Sequence, residues 1–207
     1  MSSSSNSMSE NVTLEGFPPA GAVEEGESPL FLILGSFPSV RSLEKREYYG
    51  NPQNHFWKIL CDCFGQPEPF SYAEKIEMLK KARIAIWDIF SSCERPGSLD
   101  KDISRARPNP IAEFLRRHPS IVTIGVNGGA AARGFAGEFV KGSALGGGGG
   151  GAALSRTGDS LVWTPDFSPE RRIHIARLPS TSPVPTAAFK TISDKMTYWN
   201  KFFTIHM

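Results

Sequence analysis

The stretch that decides the fold runs from Leu30 to Leu60 and reads LFLILGSFPSVRSLEKREYYGNPQNHFWKIL. It opens on an apolar run, Leu30 to Leu34, which predicts a buried β-strand. A Gly-Ser-Phe-Pro-Ser turn, residues 35–39, follows the strand. Asn51-Pro52 then predicts a helix start, because Asn caps helices and Pro is favoured at their first position. A strand, a loop at its carboxyl end and a helix start together predict a site at the edge of an open α/β sheet.

Three later segments repeat the strand pattern: Ile84 to Phe90, Ile121 to Val126 and Ile173 to Leu178. Between them apolar residues recur at helical spacing, most clearly from Phe189 to Phe203. Asn109-Pro110 predicts a further helix start, and residues 71–74 fit a capping box. Residues 91–103 are predicted to form a polar loop. Strands that alternate with helices predict an α/β protein, specifically a three-layer α/β/α sandwich with a central, mostly parallel four-stranded sheet. Right-handed crossovers would bring the loops after all four strands to one edge of that sheet.

The domain organisation follows from length and composition. A chain of 207 residues fits one domain. Residues 1–27 are rich in Ser, Gly, Glu and Pro without periodicity, which predicts a disordered tail, and residues 28–207 are predicted to form the domain. Six consecutive glycines, residues 146–151, cannot pack and predict a flexible insertion at about residues 142–160.

Charge and cysteine usage set the broad class. Lys and Arg number 23 and Asp and Glu 21, so the net charge of +2 neither supports nor excludes a nucleic-acid partner. Cys61, Cys63 and Cys93 show no C-x-x-C spacing, which argues against a disulfide framework and a structural zinc site. This usage favours a reducing, intracellular compartment, whether nuclear, cytoplasmic or mitochondrial. No apolar run is long enough to span a membrane, so no membrane partner is expected.

The chemistry of the predicted site is limited to amides, hydroxyls and aromatic rings. The sequence lacks the phosphate-binding G-x-x-x-x-G-K-[ST] loop and the hydrolase G-x-S-x-G elbow, and the first strand is not followed by the dinucleotide G-x-G-x-x-G pattern. The four histidines are scattered, so neither a metal nor a cofactor is expected. Amides, hydroxyls and aromatic rings suit a site that holds a flat heteroaromatic ring and orients a water molecule.

Three blocks resemble the uracil-DNA glycosylase superfamily and come closest to its hypoxanthine-DNA glycosylase branch. They are GSFPSVRSLEKREYYGNPQNHFW (35–57), WDIFSSCERPGSLDKDI (87–103) and LPSTSP (178–183), and Asn127 matches a further position. The resemblance covers roughly residues 30–203 apart from the glycine insertion. It implies an α/β/α sandwich that flips a deaminated base, hypoxanthine or uracil, out of DNA and hydrolyses its N-glycosidic bond as a monomer.

The resemblance also implies roles for individual residues. Asn54 and Asn127 would be the catalytic residues: Asn54 would direct water to the anomeric carbon from the first turn of a helix, and Asn127 would also pair with the edge of the base. Tyr49 would stack on the base. The rest of the base pocket would come from the first loop, that is from Gly35, Ser36, Phe37 and Pro38. Four hydroxyl residues would hold the DNA backbone: Ser39, Ser180, Thr181 and Ser182.

Two alternatives stay open at this point. A mismatch-specific uracil-DNA glycosylase is a second enzyme hypothesis. Phe37 speaks against it, because uracil-specific relatives have a polar residue that activates water at that position. A nucleic-acid-binding module that kept the fold without activity is a third. Asn54 and Asn127 also have structural interpretations, as a helix-capping group and as part of a turn. No lysine is adjacent in sequence to Asn54, which predicts hydrolysis without a Schiff base or strand cleavage.

Overall fold

The computed structural model describes residues 13–69, 71–140 and 154–206. Its strands, numbered along the chain, are β1 (Thr13–Glu15), β2 (Ala20–Gly21), β3 (Phe31–Gly35), β4 (Ile84–Asp88), β5 (Phe90–Glu94), β6 (Ser104–Pro108), β7 (Thr123–Asn127), β8 (Ser160–Trp163) and β9 (Ile173–Leu178). Its α-helices are α1 (Val40–Lys45), α2 (Phe56–Cys63), α3 (Tyr72–Lys81), α4 (Ile111–Arg117), α5 (Gly128–Phe135) and α6 (Ile192–His206). A short 3-10 helix spans Asp100–Asp102, and a π-helical turn, Ala136–Val140, extends α5.

The central sheet has the order β2-β4-β3-β7-β9-β8. Its four inner strands are parallel, as the alternation of strands and helices predicts. The two short edge strands, β2 and β8, are antiparallel to their neighbours. The predicted α/β fold with a mostly parallel sheet is therefore confirmed, and the structure adds two edge strands and a separate antiparallel sheet of order β1-β5-β6.

Helices cover both faces of the central sheet. On one face α6 packs on β3 through Phe31 and Phe203, whose ring centroids lie 5.2 Å apart. The same helix contacts α2, which in turn contacts α3 through aromatic rings. On the opposite face α4 packs on β4 through Phe114 and Trp87, 5.3 Å apart, and α5 contacts β7, β9 and β3. None of the described helices is both long enough and apolar enough to cross a membrane.

The predicted disordered tail is wrong for residues 13–27. In this segment β1 pairs with β5 and β2 pairs with β4, and the carbonyl of Phe17 accepts hydrogen bonds from Trp87 Nε1 (2.9 Å) and Tyr48 Oη (3.3 Å). The pairing partners lie more than sixty residues away along the chain, so local composition does not reveal them. Residues 1–12 lie outside the described residues.

The predicted glycine-rich insertion lies partly outside the described residues, which resume at Leu154. Residues 154–160, which the prediction included, belong to the fold. Leu154 is buried, and the Gly158 N–H donates to the carbonyl of Arg177 at 2.9 Å. Gly158 has a positive φ of 89°, so here glycine serves a tight turn before β8 rather than a loose connection.

Two predicted helix starts are wrong. α2 begins at Phe56 rather than at Asn51-Pro52, because Asn51 Oδ1 accepts from the Gln53 N–H and Asn54 Oδ1 accepts from the Phe56 N–H, each at 3.0 Å. Asn side chains that bond the backbone two residues on form turns that compete with helix. Asn109 does not cap α4 either, since its amide donates to the carbonyl of Asp88 at 2.9 Å. The capping box at Ser71 is confirmed.

Residues 91–103, expected to form a polar loop, include most of β5 and the short 3-10 helix. β5 pairs with β6 on one side and with β1 on the other. This small sheet folds the segment back, so that Asp100 reaches the edge of the central sheet beside Ser36.

Candidate active site

The loops that follow β3, β4, β7 and β9 meet around one cavity of about 200 Å³. It lies at the carboxyl edge of the parallel strands, where the sequence predicts a site. The cavity is smaller than the roughly 300–1,000 Å³ usual for drug-sized ligands, which suits a single heteroaromatic base. The principal lining residues are Gly35, Ser36, Phe37, Pro38, Ser39, Tyr49, Asn54, Asp88, Asp100, Asn127, Ser180, Thr181 and Ser182.

Tyr49 forms an aromatic wall of the cavity. Its ring stacks on Phe56 at 3.7 Å between centroids and 15° between planes. Its backbone has a positive φ of 52°, an unusual conformation for a bulky residue, which turns the chain between α1 and α2. Burial, and then the charge of Asp88, raise the pKa of Tyr49, so its phenol stays neutral and can act as a hydrogen-bond donor.

Asn127, at the end of β7, connects three parts of the site. Its Nδ2 donates to Tyr49 Oη (3.1 Å) and to Thr181 Oγ1 (2.9 Å), and its Oδ1 accepts from the Thr181 N–H (3.0 Å). Both ends of the amide are thus engaged within the protein, and pairing with a base would require some of these bonds to open. The next residue, Gly128, has a φ of 91°, and a Cβ there would press on Ser180.

The loop from Ser180 to Val184 divides into inward and outward residues. Thr181 is only 1% exposed, and its carbonyl accepts from the His55 N–H at 2.9 Å. Ser180 and Ser182 are half-buried, whereas Val184 is 56% exposed at the rim. Behind the loop the buried Lys195 donates to the carbonyl of Ser182 at 2.7 Å. Lys195 was not singled out from the sequence, although its position, three residues after Ile192 and four before Trp199, places it on the apolar face of α6.

Asn54 lies at the mouth of the cavity, two residues before α2 begins. It also lines an adjoining groove of about 720 Å³ that contains Lys58 and Val184. Its Oδ1 accepts one hydrogen bond, from Phe56, and its Nδ2 makes none with any described residue. The amide therefore faces the opening with donor capacity to spare and a second lone pair on its oxygen.

Asp88, at the end of β4, is a site residue that the sequence analysis missed. Its side chain lines the cavity and is 5% exposed. Burial, and then the charge of Asp100, raise the pKa of Asp88 to about 8, against the opposing charge of Arg95. An acidic residue inside the apolar run from Ile84 to Phe90 is the signal that could have found it, since an unpaired carboxylate is costly to bury.

The first loop is held in place by several side-chain contacts. Phe37 is buried, with the guanidinium carbon of Arg95 5.2 Å from its ring centroid, and Arg95 donates to the carbonyl of Pro38. Ser36 Oγ donates to Asp100 Oδ1 at 2.6 Å. Ser39 accepts from the Ser42 N–H at 3.2 Å and caps α1. All four predicted loops thus contribute to one cavity, and Phe37 serves as a packed wall.

In the described parts of the chain no group of three or more His, Cys, Asp and Glu side chains is arranged to hold a metal ion. Cys61, Cys63 and Cys93 are free thiols, and none of them lines the cavity. The chemistry available at this site consists of amides, hydroxyls, one buried carboxyl group and an aromatic wall.

Two archaeal proteins are similar to this chain, and both are named hypoxanthine DNA glycosylase. The one from Methanosarcina barkeri is 33% identical over 115 residues, which cover 55% of this chain and 70% of the relative. The chain belongs to the hypoxanthine DNA glycosylase family. The other, from Methanosarcina acetivorans, is 37% identical over 103 residues, which span 49% of this chain and 65% of that relative, just under two thirds. No protein-family model matches the chain.

The fold has a relative among solved structures as well. The solution NMR structure of a candidate uracil DNA glycosylase from Methanosarcina acetivorans superposes with a TM-score of 0.67 at 26% sequence identity, over 94% of this chain and 99% of that one. The resemblance drawn from the sequence, to the uracil-DNA glycosylase superfamily and its hypoxanthine branch, is confirmed.

Proposed function

We propose that this protein is a monofunctional DNA glycosylase that flips deoxyinosine out of DNA and hydrolyses its N-glycosidic bond. One observation carries the proposal. A cavity sized for one base lies at the carboxyl edge of the sheet, with a stacked tyrosine as a wall and, at its mouth, an asparagine whose Nδ2 has no partner among the described residues. The two relatives named hypoxanthine DNA glycosylase support hypoxanthine as the base.

The geometry supports different roles for residues that contact the base and residues that contact the sugar. A flipped nucleotide enters base first, so the base reaches the floor while the sugar stays at the mouth. Tyr49 would stack on the base, as predicted. Asn54, at the mouth, would hold the attacking water against the anomeric carbon. Asn127 would act indirectly, because its hydrogen bonds hold Tyr49 and the loop at Thr181 in position.

DNA contact is assigned to the exposed part of the rim. The hydroxyls of Ser39, Ser180 and Ser182 lie around the cavity and are the candidates to bind backbone phosphates. Thr181 is buried and would support the loop from behind. Val184, which is exposed and lines the same groove as Asn54, would fill the space that the flipped base leaves in the duplex.

The reaction needs no covalent intermediate. As the C1′–N9 bond stretches, positive charge develops on the sugar and negative charge on the base, and fixed dipoles around the cavity stabilise both. No lysine is among the described residues that line the cavity, which supports simple hydrolysis to an abasic site. We infer that the protein works as a monomer in a reducing compartment that contains DNA.

Uracil is a second candidate base, favoured by the name of the structural neighbour. Hypoxanthine and uracil both present a carbonyl acceptor next to a ring N–H donor, so one set of polar groups can recognise both. Adenine presents the reverse pattern, an amino donor next to a ring acceptor, and a site built for the first pattern would reject it.

The test is a single-turnover incubation of end-labelled duplexes that carry one deoxyinosine, deoxyuridine or deoxyxanthosine, followed by alkali. Cleavage of the deoxyinosine strand only after alkali, lost in Asn54→Ala and kept in Asn200→Ala, supports the proposal. Asn200 is a surface asparagine that donates to Asp62 and does not line the cavity, and it serves as the matched control. Excision of uracil alone would move the function to a uracil glycosylase. No abasic site from folded protein would leave only a binding module.

A further inference from the structure

Asp88 combines burial with an unused hydrogen-bonding atom. Its Oδ2 is fully buried and has no hydrogen-bond partner among the described residues. Its Oδ1 lies over Gly35, where a Cβ would collide with it, so the glycine leaves the carboxyl group room at the floor of the cavity. Buried polar groups in native proteins are nearly always paired, and an unpaired one that lines a cavity indicates a partner supplied from outside.

The charged groups around Asp88 do not neutralise it. Arg95, from the end of β5, donates to the carbonyl of Pro38 rather than to the Asp88 carboxyl. Asp100, from the 3-10 helix, adds a second negative charge, and the phenols of Tyr48 and Tyr49 face Asp88 from the segment after α1. This environment raises the pKa of Asp88 to about 8, so that at neutral pH the carboxyl group holds a proton.

The floor of the cavity and its mouth offer different chemistry. Asn54 lines both the cavity and the adjoining groove, whereas Asp88 lines the cavity alone. With the sugar of a flipped nucleotide at Asn54, the base is the part that would approach Asp88. A purine has ring nitrogens with free lone pairs, and these gain negative charge as the bond to the sugar breaks. A carboxylic acid at the floor is a proton donor matched to that change.

Resting on the proposed function, we propose that Asp88 is the general acid of the reaction and protonates a ring nitrogen of the departing purine. The C1′–N9 bond breaks and its electron pair moves into the base, while the Asp88 proton moves to the ring nitrogen and releases neutral hypoxanthine. Water held by Asn54 forms the new bond to C1′ and gives up one proton. The Asp88 carboxylate then takes a proton from solvent, so protons balance over one turnover.

If Asp88 protonates a purine ring nitrogen, the excision of hypoxanthine should depend on it more than the excision of uracil does. Uracil attached to its sugar has no ring nitrogen with a free lone pair, so it gains less from a ring-nitrogen proton donor. Asp88→Asn should therefore slow the excision of hypoxanthine more than any excision of uracil. A purely structural effect of the substitution would slow both equally.

The deciding experiment follows single-turnover rates on a deoxyinosine duplex from pH 6 to pH 9 at low enzyme concentration, which reports the free enzyme. Four proteins are compared: wild type, Asp88→Asn, Asp100→Asn and the double variant. Asp88→Asn should be roughly 100-fold slower or more at pH 7, as expected for the loss of a general acid. Asp100→Asn keeps an acceptor for Ser36 and removes the charge, so the alkaline fall in rate should begin at lower pH.

In the Asp88→Asn background the Asp100 substitution should no longer shift the profile. Ionisation of the substrate is common to all four proteins and cancels in this comparison. Wild-type rates in Asp88→Asn, an unmoved profile in Asp100→Asn, or a shift that persists in the double variant would each overturn the inference. If Asp88→Asn does not fold, the Asp100→Asn profile decides alone. A wild type that releases no hypoxanthine at any pH overturns the proposed function itself.

Discussion

Two parts of the cavity differ in how their polar groups are satisfied. In the bonded cluster, made of Asn127, Tyr49 and Thr181, the asparagine amide uses both its donor and its acceptor within the protein. The two open groups, Asp88 and Asn54, keep Oδ2 and Nδ2 without a partner among the described residues. Satisfied groups fix the shape of a site, and open groups are available to a substrate. The contrast separates residues that hold the cavity from residues that can act in it.

The largest effect is expected from Asp88→Asn on stability. In the folded protein the pKa of Asp88 is raised to about 8, so the unfolded chain loses its proton first as pH rises. Wild-type stability should therefore fall between about pH 4 and pH 8, by at most roughly 1.4 kcal/mol per pH unit, whereas the variant lacks this dependence. Urea denaturation at pH 4.5 and pH 8 measures it. A stability difference that does not grow with pH would show that Asp88 is ionised in the folded state.

The next effect is on activity, at the second open group. Asn54→Ala should slow deoxyinosine excision by about 100- to 1,000-fold, equivalent to roughly 3–4 kcal/mol, because an oriented dipole is lost from the reacting centre. Its thermal stability should change little, since only one turn hydrogen bond disappears. Asn200→Ala, at an asparagine that does not line the cavity, is the control. Equal losses of activity in the two variants would reduce Asn54 to a structural residue.

In the bonded cluster, unlike at Asn54, a substitution should lower the stability of the protein as well as its activity. Asn127→Ala breaks three hydrogen bonds and leaves Thr181 unpaired, which should cost about 2–3 kcal/mol of stability. Activity should fall with it, because Tyr49 and the loop lose their fixed positions. Chemical denaturation checks the stability, with Asn200→Ala as a surface control expected within about 0.5 kcal/mol of wild type. Unchanged stability with abolished activity would instead place Asn127 in direct contact with the base.

The smallest effect is expected at the rim. Val184→Ala should weaken excision from duplex DNA by less than about 1 kcal/mol, since a partial loss of buried apolar surface is the only change. Excision from single-stranded DNA should not change, because no base stack has to be filled there. Val162→Ala, an exposed valine on the edge strand β8, is the control. Equal losses on both substrates would argue against contact between Val184 and the base stack.

The strands and the helix order were predictable from local patterns. The observed bounds of β3, β7 and β9 fall within two residues of the predicted ones. The capping box at Ser71 is present as predicted. Helix starts at Asn51 and Asn109 were not predictable, because an asparagine side chain can cap a helix, close a turn or bond a distant carbonyl. Which of these it does depends on partners that folding brings near.

By itself the sequence determined the α/β fold, the edge of the sheet where the loops meet, and most of the residues around the cavity. Apolar periodicity and right-handed crossovers are properties of the chain and are enough for that. Only the tertiary structure decided which asparagine is held by the protein and which stays free. It alone brought Asp88 together with Asp100, while the nearby Arg95 donates to the carbonyl of Pro38. Pairing and desolvation depend on distances between residues far apart in the chain, and a linear pattern does not contain them.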